Sequence, residues 1–596
     1  MEIENTLQLA TSKVIAELYG TTPTLDSIQI QKTKREFEGD FTLVVFPLLK
    51  LSKKKPEETA QEIGERLVDT LPAISSFNVV KGFLNLSLSN EFWCNTLNAI
   101  ASTVDFGIAK PESTGKVKMV EFSSPNTNKP LHLGHIRNNL LGFSVSRILE
   151  ANGHKVVKVN LINDRGIHIC KSMLAWQKFG NGETPQSSGK KGDHLVGDYY
   201  VRFDKEYRQQ VERLRAEGLA EDVAKAKAPI IIEAQEMLRK WEAKDPEVYA
   251  LWQEMNQWVY DGFDQTYSAL GIQFDKVYHE SETYLLGKSI VQEGLAKGIF
   301  VKKDDGSVWI DLTSDGLDEK LLLRSDGTSV YITQDIGTAL QRFNEFHLDD
   351  HIYVVGNEQE YHFNVLKLVM KKLGYSWADH LYHLSYGMVQ LPEGKMKSRE
   401  GKVVDADDLV DEMVATALEM SQELGKLNEL NADEASEIVR MIGLGALKYF
   451  ILKVDPKKNM TFNPQESIDF NGNTGPFIQY THARIQSVLR KASDAGITVP
   501  HSIGSVALNA KEQHLIQLVS SLPSLVNQAA EMLSPALIAN FTYDLAKEYN
   551  QFYHDFTIIK EQNEEARQAR LLISREVANA IRISMWLLGI DVPNRM

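Results

Sequence analysis

Two histidines enclose a leucine and a glycine at residues 132–135, where a polar loop gives way to an apolar helical pattern. The loop follows an apolar run from Val117 to Phe122, which predicts a buried strand. A strand that enters a helix through a loop presents backbone N–H groups and the positive end of the helix dipole to an anion. Imidazoles can donate to phosphate oxygens, and Gly134 lets a flat base approach. His132, Gly134 and His135 therefore predict a nucleotide site.

The elements around this site predict a parallel sheet. Apolar residues recur at helical spacing from Ile136 to Leu149, and Asn152-Gly153 ends the helix. A second apolar run from Lys155 to Ile162 completes strand, helix and strand, which is typical of a doubly wound α/β fold. The four residues 132–135 are a short motif, because a polar helix start with two surface histidines would have the same sequence.

Further polar residues fall beside predicted strands downstream. The sheet is expected to resume near residue 308, with strands at 329–333 and 352–355 and a helix over 359–373. Ligands of open parallel sheets bind at the carboxyl ends of the strands. Four side chains are therefore expected near the ligand: Glu121, Tyr331, Asp335 and Gln359.

The chemistry of these side chains suits a guanidinium group, which carries five N–H donors and accepts no hydrogen bond. Asp335 or Glu121 would pair with its charge, and Tyr331 would stack on it or hydrogen-bond to it. Asn126 and Gln359 would orient the rest of the ligand. Each residue alone is also explained as a satisfied polar group near a strand end, but the set favours a pocket.

The run EFSSPNTNKPLHLGHIRNN, which begins at Glu121, resembles the signature of class I arginyl-tRNA synthetases. Its core, residues 132–135, is shared by all class I synthetases and by some nucleotidyltransferases. The resemblance extends over nearly the whole chain and implies a Rossmann-like catalytic domain that uses ATP, L-arginine and tRNA(Arg). It implies arginine binding by Glu121, Ser123, Asn126, His135, Tyr331, Asp335 and Gln359.

Class I synthetases also carry a Lys-Met-Ser-Lys-Ser loop that holds the ATP phosphates. This chain reads KMKSR at residues 395–399, so the second lysine of the pattern is missing. Lys129 occupies the place from which arginyl enzymes are thought to supply this charge, although two lysine-rich surface loops are the alternative. The resemblance implies ATP binding by Lys129, His132, Gly134, His135, Lys395 and Met396. It assigns catalysis to Lys129, His132, His135 and Lys395.

The family pattern Asp-Trp-Gly-x-Gln has a divergent counterpart after the second strand. Residues 164–168 read DRGIH, which keeps the aspartate and the glycine but has Arg165 and His168 at the other two positions. The resemblance therefore assigns no role to these two side chains.

Three regions follow from the pattern of elements and from the resemblance. The pattern predicts a small α+β domain over 1–108, a Rossmann-like domain over 115–404 with a helical insertion near 180–265, and an all-helical domain over 405–596. The resemblance implies that the first contacts tRNA, the second is catalytic and the third binds the anticodon. A structural appendage and a plain helical bundle are the alternatives for the two ends. The side chains expected to contact tRNA, as exposed groups able to stack on loop bases, are Gln479, Tyr480 and Arg484.

The bulk composition favours a reducing cytoplasm, and we expect a monomer, although the sequence does not determine the oligomeric state. The 596 residues are 43% hydrophobic and 24% charged, without an apolar run of membrane-spanning length or a secretory leader. Two cysteines cannot build a disulfide framework or a zinc site, so no metal site is expected and Mg²⁺ would arrive with ATP. The net charge of −15 disfavours but does not exclude an RNA partner, because basic faces can be local.

Two other functions remain compatible with the sequence. One is another class I synthetase or a nucleotidyltransferase of the same fold, against which the extended signature and the helical tail argue. The other is an RNA-binding relative that has lost catalysis, which the altered lysine loop and the acidic charge would allow. A test of which amino acid, if any, the protein activates with ATP separates the three functions.

Overall fold

The computed structural model describes residues 3–34, 36–392, 404–425 and 431–596. Its N-terminal elements are α1 (Ile3–Tyr19), β1 (Gln29–Lys32), β2 (Phe41–Val44), α2 (Leu49–Ser52), α3 (Pro56–Thr70), β3 (Ile74–Val80), β4 (Phe83–Leu88) and α4 (Asn90–Ser102). The four strands pair antiparallel in the order β1-β2-β4-β3, with α1 and α3 packed against them. The predicted α+β character of this region is confirmed.

A parallel sheet and a helical insertion follow. The elements up to the edge of that sheet are β5 (Val117–Glu121), α5 (Leu133–Ala151), β6 (Lys155–Ile162), α6 (Ile167–Phe179), α7 (Pro185–Ser188), α8 (Gly192–Ala216), α9 (Glu221–Lys227), α10 (Pro229–Glu242), α11 (Pro246–Leu270), β7 (Lys276–His279), α12 (Glu280–Thr283) and α13 (Lys288–Ala296). The strand predicted over Lys155–Ile162 is confirmed as β6. Helices α7 to α11 fill the predicted insertion between β6 and β7.

The elements from Phe300 to Gln390 include two strands that form the other edge of the parallel sheet. The elements in this range are β8 (Phe300–Lys302), β9 (Val308–Ile310), β10 (Lys320–Leu323), α14 (Tyr331–Phe346), β11 (Asp350–Gly356), α15 (Glu360–Leu373), β12 (Leu381–Tyr386) and β13 (Val389–Gln390). Five strands lie in the order β12-β11-β5-β6-β7, and all neighbours are parallel. The doubly wound fold is confirmed, and its strand order reverses between β5 and β11, where such folds bind ligands.

Two local predictions are wrong. The sheet does not resume near residue 308, because β8, β9 and β10 form a separate antiparallel sheet. Residues 329–333, predicted as a strand, instead lead into α14. Their β-branched and aromatic side chains favour a strand. Burial of Ile332, Ile336 and Phe343, which recur at helical spacing, outweighs that preference.

The described residues from 404 onward are helical except for one short strand and the connecting loops. They contain α16 (Ala406–Glu423), α17 (Ala432–Leu452), β14 (Met460–Thr461), α18 (Pro464–Ser467), α19 (Gly475–Asp494), α20 (Ala510–Ser520), α21 (Leu522–Glu531), α22 (Pro535–Asp555) and α23 (Glu564–Leu587). Ser144 and Arg147 of α5 donate to the carbonyls of Leu587 (2.9 Å) and Trp586 (2.7 Å) at the end of α23. The bundle thus packs directly on the helix that carries the predicted nucleotide site. None of the described helices is long and apolar enough to cross a membrane.

Candidate active site

The two signature histidines lie where the loop after β5 enters α5. His132 is the N-cap of α5, and its Nδ1 accepts the backbone N–H of Gly134 (3.1 Å). His135 Nδ1 accepts the backbone N–H of His132 (3.2 Å), and the two ring centroids are 3.9 Å apart. Because both Nδ1 atoms accept, this hydrogen-bond network assigns the proton of each neutral ring to Nε2. That Nε2–H is the donor each ring can offer to a ligand.

Burial keeps both imidazoles neutral at pH 7. It lowers the pKa of His132 to about 4, with a further lowering from the nearby Lys129 ammonium. Burial likewise lowers the pKa of His135 far below its ordinary value, with smaller contributions from His132 and Lys129. Desolvation lowers the pKa of Lys129 itself. The β5–α5 loop therefore combines one ammonium with two N–H donors, a set suited to phosphate oxygens.

The loop between β5 and the signature has a strained backbone. Ser123 and Ser124 have φ values of 78° and 46°, a left-handed conformation that costs non-glycine residues about 1–3 kcal/mol each. Buried Asn138 accepts the backbone N–H of Ser123 (2.5 Å), and buried Asn160 accepts that of Ser124 (3.0 Å). The two asparagines thus hold a conformation that brings Asn126 to a backbone bridge just beyond β6.

Glu121, the last residue of β5, is paired with an arginine of the chain itself. The Arg342 guanidinium of α14 contacts its carboxylate and lies 4.7 Å from the ring centroid of Tyr278. The side chains of Arg342 and Glu121 are only 1% and 8% exposed. Burial raises the pKa of Glu121, and the Arg342 charge opposes that rise. One of the two carboxylates predicted to bind a guanidinium therefore already binds one.

Asp335 lies on the same face of α14 as Arg342, about two helical turns nearer the N-terminus of the helix. It is about one-third exposed, and its Oδ2 is 2.5 Å from His362 Nε2. Its negative charge contributes to raising the pKa of both Glu121 and Glu280. Three carboxylates therefore interact electrostatically, and Asp335 is the most accessible of them to a cationic ligand.

A cavity of about 640 Å³ adjoins this carboxylate group. Among the predicted residues, Asn126, Lys129 and the largely exposed Tyr331 line it. Glu280, the first residue after β7, also lines it, and burial raises the pKa of its carboxyl to about 7 against the opposing charge of Arg165. Sequence reasoning missed Glu280, although its position directly after a strand of the parallel sheet was a usable signal.

The remaining predicted residues are placed differently. The Ser123 hydroxyl is buried and 2.7 Å from the hydroxyl of Tyr267, so its side chain is engaged within the protein. Gln359 is exposed in the single turn after β11. Lys395 and Met396 lie outside the described residues. The predicted residues that do not line the 640 Å³ cavity are Glu121, Ser123, His132, Gly134, His135, Asp335 and Gln359.

The two divergent positions both line this cavity. The Arg165 guanidinium lies 4.1 Å from the ring centroid of Tyr284 and 3.7 Å from a carboxylate oxygen of Glu280. His168 Nδ1 is 2.9 Å from the hydroxyl of Tyr200. Arg165 therefore offsets part of the negative charge of Glu280, which was not among the predicted residues.

Among the side chains expected to contact tRNA, Gln479 is completely buried. Its Nε2 donates to the backbone carbonyls of Met441 (2.9 Å) and Asp591 (2.8 Å). The expectation that Gln479 is exposed is wrong, because its amide satisfies carbonyl groups inside the helical bundle. A helix pattern cannot show which polar residue is used in this way.

Tyr480 and Arg484 instead line a cavity of about 1080 Å³ between α19 and α22. The Arg484 guanidinium lies 4.8 Å from the ring centroid of Tyr480 and 5.4 Å from that of Tyr553. Further cationic groups that line this cavity are Arg490, Lys491, Lys560 and Arg595. Aromatic rings interleaved with cations are typical of surfaces that bind single-stranded nucleic acid.

Comparisons with known protein families cover almost the whole chain. The family described as arginyl tRNA synthetase N terminal domain matches residues 2–88. The family described as tRNA synthetases class I (R), catalytic domain, matches residues 97–463, and the DALR anticodon binding domain matches residues 478–596. This chain belongs to the class I arginyl-tRNA synthetases. The family predicted from the signature is confirmed.

Relatives of this synthetase align with it over the full length of both chains. The arginine–tRNA ligases of Bacteroides thetaiotaomicron and Flavobacterium psychrophilum are 61% and 55% identical, with complete coverage of both chains in each pair. The solved Thermus thermophilus arginyl-tRNA synthetase superimposes with a TM-score of 0.79 at 25% identity, again with complete coverage. The synthetase is therefore an aminoacyl-tRNA ligase of arginine specificity.

Proposed function

We propose that this synthetase activates L-arginine at the β5–α5 loop and transfers the arginyl group to the terminal ribose of tRNA(Arg). In the first step the arginine carboxylate attacks the α-phosphate of ATP, which forms arginyl-adenylate and releases pyrophosphate. In the second step a terminal ribose hydroxyl attacks the arginyl carbonyl, and AMP leaves. The protein supplies positioning and charge stabilisation for both steps.

The observation that carries this proposal is the neutral histidine pair beside Lys129, at the start of the helix that follows β5. The Nε2–H groups of His132 and His135 and the Lys129 ammonium would stabilise charge on the phosphates. Gly134 would admit the adenine ring. The family pattern supports a similar role for the lysine loop with Lys395 and Met396.

Asp335 is proposed to bind the substrate guanidinium, with Tyr331 stacked on it. Asn126, His135 and Gln359 would orient the amino and carboxylate groups of arginine, and Ser123 would act through its backbone. Glu121 would contribute through its pair with Arg342, whose rigid geometry supports that end of the pocket. These roles follow the family pattern and the placement of each residue beside the switch point of the sheet.

Mg²⁺ is proposed to enter as part of the ATP substrate. Among the described residues, Asp193, His194 and Asp407 have a spacing suited to a metal. However, the Lys191 Nζ donates to Asp193 (3.2 Å) and to Asp407 (2.6 Å) and so provides the positive charge there. These residues do not fit a divalent ion. A cytoplasmic location is likewise a proposal, supported by the free, buried cysteines Cys94 and Cys170. A monomeric state is also proposed.

Exchange of pyrophosphate into ATP, measured with a panel of amino acids with and without tRNA, tests this function. We expect exchange with arginine alone, and only when tRNA is present, because activation usually requires bound tRNA in this family. Exchange with another amino acid would contradict the pocket assignment. Folded protein that binds tRNA but shows no exchange would instead be an inactive RNA-binding relative.

Replacement of Asp335 by asparagine is expected to raise the KM for arginine about 10- to 100-fold, because hydrogen bonds to charged groups contribute about 1.5–3 kcal/mol. The KM for ATP should stay within the error of the assay. Asp379→Asn is a suitable control, since Asp379 is exposed and pairs with the surface lysines Lys367 and Lys371. An unchanged KM for arginine in the Asp335 variant would exclude this carboxylate from the pocket.

Replacement of Tyr553 by alanine is expected to weaken tRNA binding about 5- to 100-fold, because stacking of a base on an aromatic ring contributes about 1–3 kcal/mol. The ring faces Arg484 in the 1080 Å³ cavity, which gives a base an aromatic and a cationic surface. Direct tRNA binding and the KM for arginine should be measured together. Equal affinity of the variant and the parent protein would show that RNA does not enter this cavity.

A further inference from the structure

The first turns of α8 lie directly against the loop that carries Lys129. A Cβ placed on Gly197 would lie 2.9 Å from Pro130 Cδ and 3.7 Å from Lys129 Cα. The missing side chain therefore allows the helix backbone to support this loop without an intervening group. Gly197 belongs to the run GDHLVGDYY at residues 192–200, within the helical insertion.

The same end of α8 holds Asp407, the second residue of α16. Lys191, the N-cap of α8, donates from Nζ to Asp407 Oδ2 (2.6 Å) and to Thr266 Oγ1 (2.6 Å), and its side chain is 15% exposed. His194 Nε2 is 3.0 Å from the same oxygen, and Thr266 donates to Oδ1 (2.9 Å). Burial alone would raise the pKa of Asp407, but the bonds from His194 and Lys191 lower it to about 2. Asp407 is thus a fixed anion.

The segment just before Asp407 pairs with the backbone on both sides of His132. The Leu133 N–H donates to the Val404 carbonyl, and the Ala406 N–H donates to the Leu131 carbonyl, both at 3.0 Å. His132 and Asp405 face each other in this antiparallel bridge. Asp405 also caps α16 by accepting the backbone N–H of Asp407 (2.8 Å). A shift of Asp407 would therefore be transmitted to the backbone of His132.

We propose that Lys191, His194 and Gly197 are positioning residues for the phosphate-binding groups Lys129 and His132. Gly197 fixes the loop of Lys129 from one side, while Lys191 and His194 fix the segment that pairs with His132 through Asp407. The inference rests on the proposed role of Lys129 and His132 in binding ATP. It gives the insertion between β6 and β7 a part in the activation step.

Lys191→Met tests the proposal against its exposed neighbour. We expect kcat/KM for ATP in pyrophosphate exchange with tRNA to fall at least about tenfold, because a displacement of about 1 Å can cost about 100-fold. The KM for arginine should change less than about twofold, since the Asp335 end of the pocket is untouched. Lys190→Met is the matched control: Lys190 pairs with Asp198 on the surface, where its side chain is 50% exposed, and this variant should retain full activity.

Gly197→Ala provides a second variant that changes no charge. Its methyl group would displace the Pro130 ring, so we expect the same fall in kcat/KM for ATP with little change in the KM for arginine. Lys191→Arg, which keeps a cation near Asp407, should recover part of the activity lost in Lys191→Met. A parallel loss of all kinetic constants with a lower melting temperature would show a merely structural role and overturn the proposal.

Lys129→Ala separates this inference from the function on which it rests. If Lys129→Ala leaves the KM for ATP and kcat unchanged, the phosphate-binding role itself is wrong. If Lys129→Ala reduces kcat/KM for ATP while folded Lys191→Met and Gly197→Ala do not, only the positioning role is overturned. A selective loss in all three variants is the result we expect.

Discussion

Replacement of His132 by asparagine is expected to lower kcat for arginine activation about 10²–10³-fold, the usual effect of removing one donor to a developing negative charge. His132 has two separable tasks. Its Nδ1 caps α5 by accepting the Gly134 N–H, and its Nε2–H is the donor proposed for the phosphates. Asparagine is among the preferred N-cap residues, and its carboxamide oxygen replaces Nδ1 but leaves no donor at the position of Nε2.

Pyrophosphate exchange and thermal melting of the same preparation measure this effect. The melting temperature should stay close to that of the parent protein, because the cap is retained. His132→Ala serves as the comparison variant and should lose both activity and about 0.5–2 kcal/mol of stability. Full activity of His132→Asn would show that the imidazole acts only as a cap. Since the pKa of His132 is about 4, the parent activity should show no loss near pH 6.5 from protonation of this ring.

Replacement of Arg342 by methionine is expected to destabilise the protein by about 3–5 kcal/mol, because it leaves the buried Glu121 carboxylate without its partner. Glu121→Gln should destabilise as well, since it leaves a guanidinium uncompensated in the same position. The double variant should be more stable than the sum of the two losses predicts, because neither charge then remains buried alone. Denaturant unfolding followed by fluorescence gives all four stabilities.

The kinetics of the Glu121 variants distinguish support from direct substrate contact. Glu121→Gln is expected to raise the KM for arginine strongly and to leave ATP binding nearly unchanged. If the double variant recovers stability but not the KM for arginine, the carboxylate contacts the substrate as the family pattern implies. If the stability and the KM for arginine both recover in the double variant, Glu121 acts only by holding Arg342. Equal stability of both single variants and the parent protein would contradict a buried ion pair.

The sequence alone determined those features whose residues are neighbours in the chain. The run from Glu121 to Asn138 identified the family, because one strand, one loop and one helix start contain the extended signature with Lys129 and both histidines. Likewise, β6 was predicted to the residue from a continuous apolar run. The helical C-terminal region followed from periodicity alone.

Tertiary structure alone decided which polar groups remain available to a ligand. Gln479 is of a residue type that contacts RNA, but its amide donates to two backbone carbonyls inside the helical bundle. Tyr331 begins a helix although its neighbours favour a strand. Local propensity could not show either outcome, because burial against distant elements overrides it.

The partner of each buried charge was likewise invisible in the sequence. Arg342 forms an ion pair with the Glu121 carboxylate, and Lys191 binds Asp407, which is 216 residues away in the sequence. No periodicity carries information about such a pairing, since both partners follow the pattern of their own helix or strand. The energetic cost of an unpaired buried charge makes the pairings obligatory, but only the packing of the sheet, the insertion and the bundle determines which groups meet.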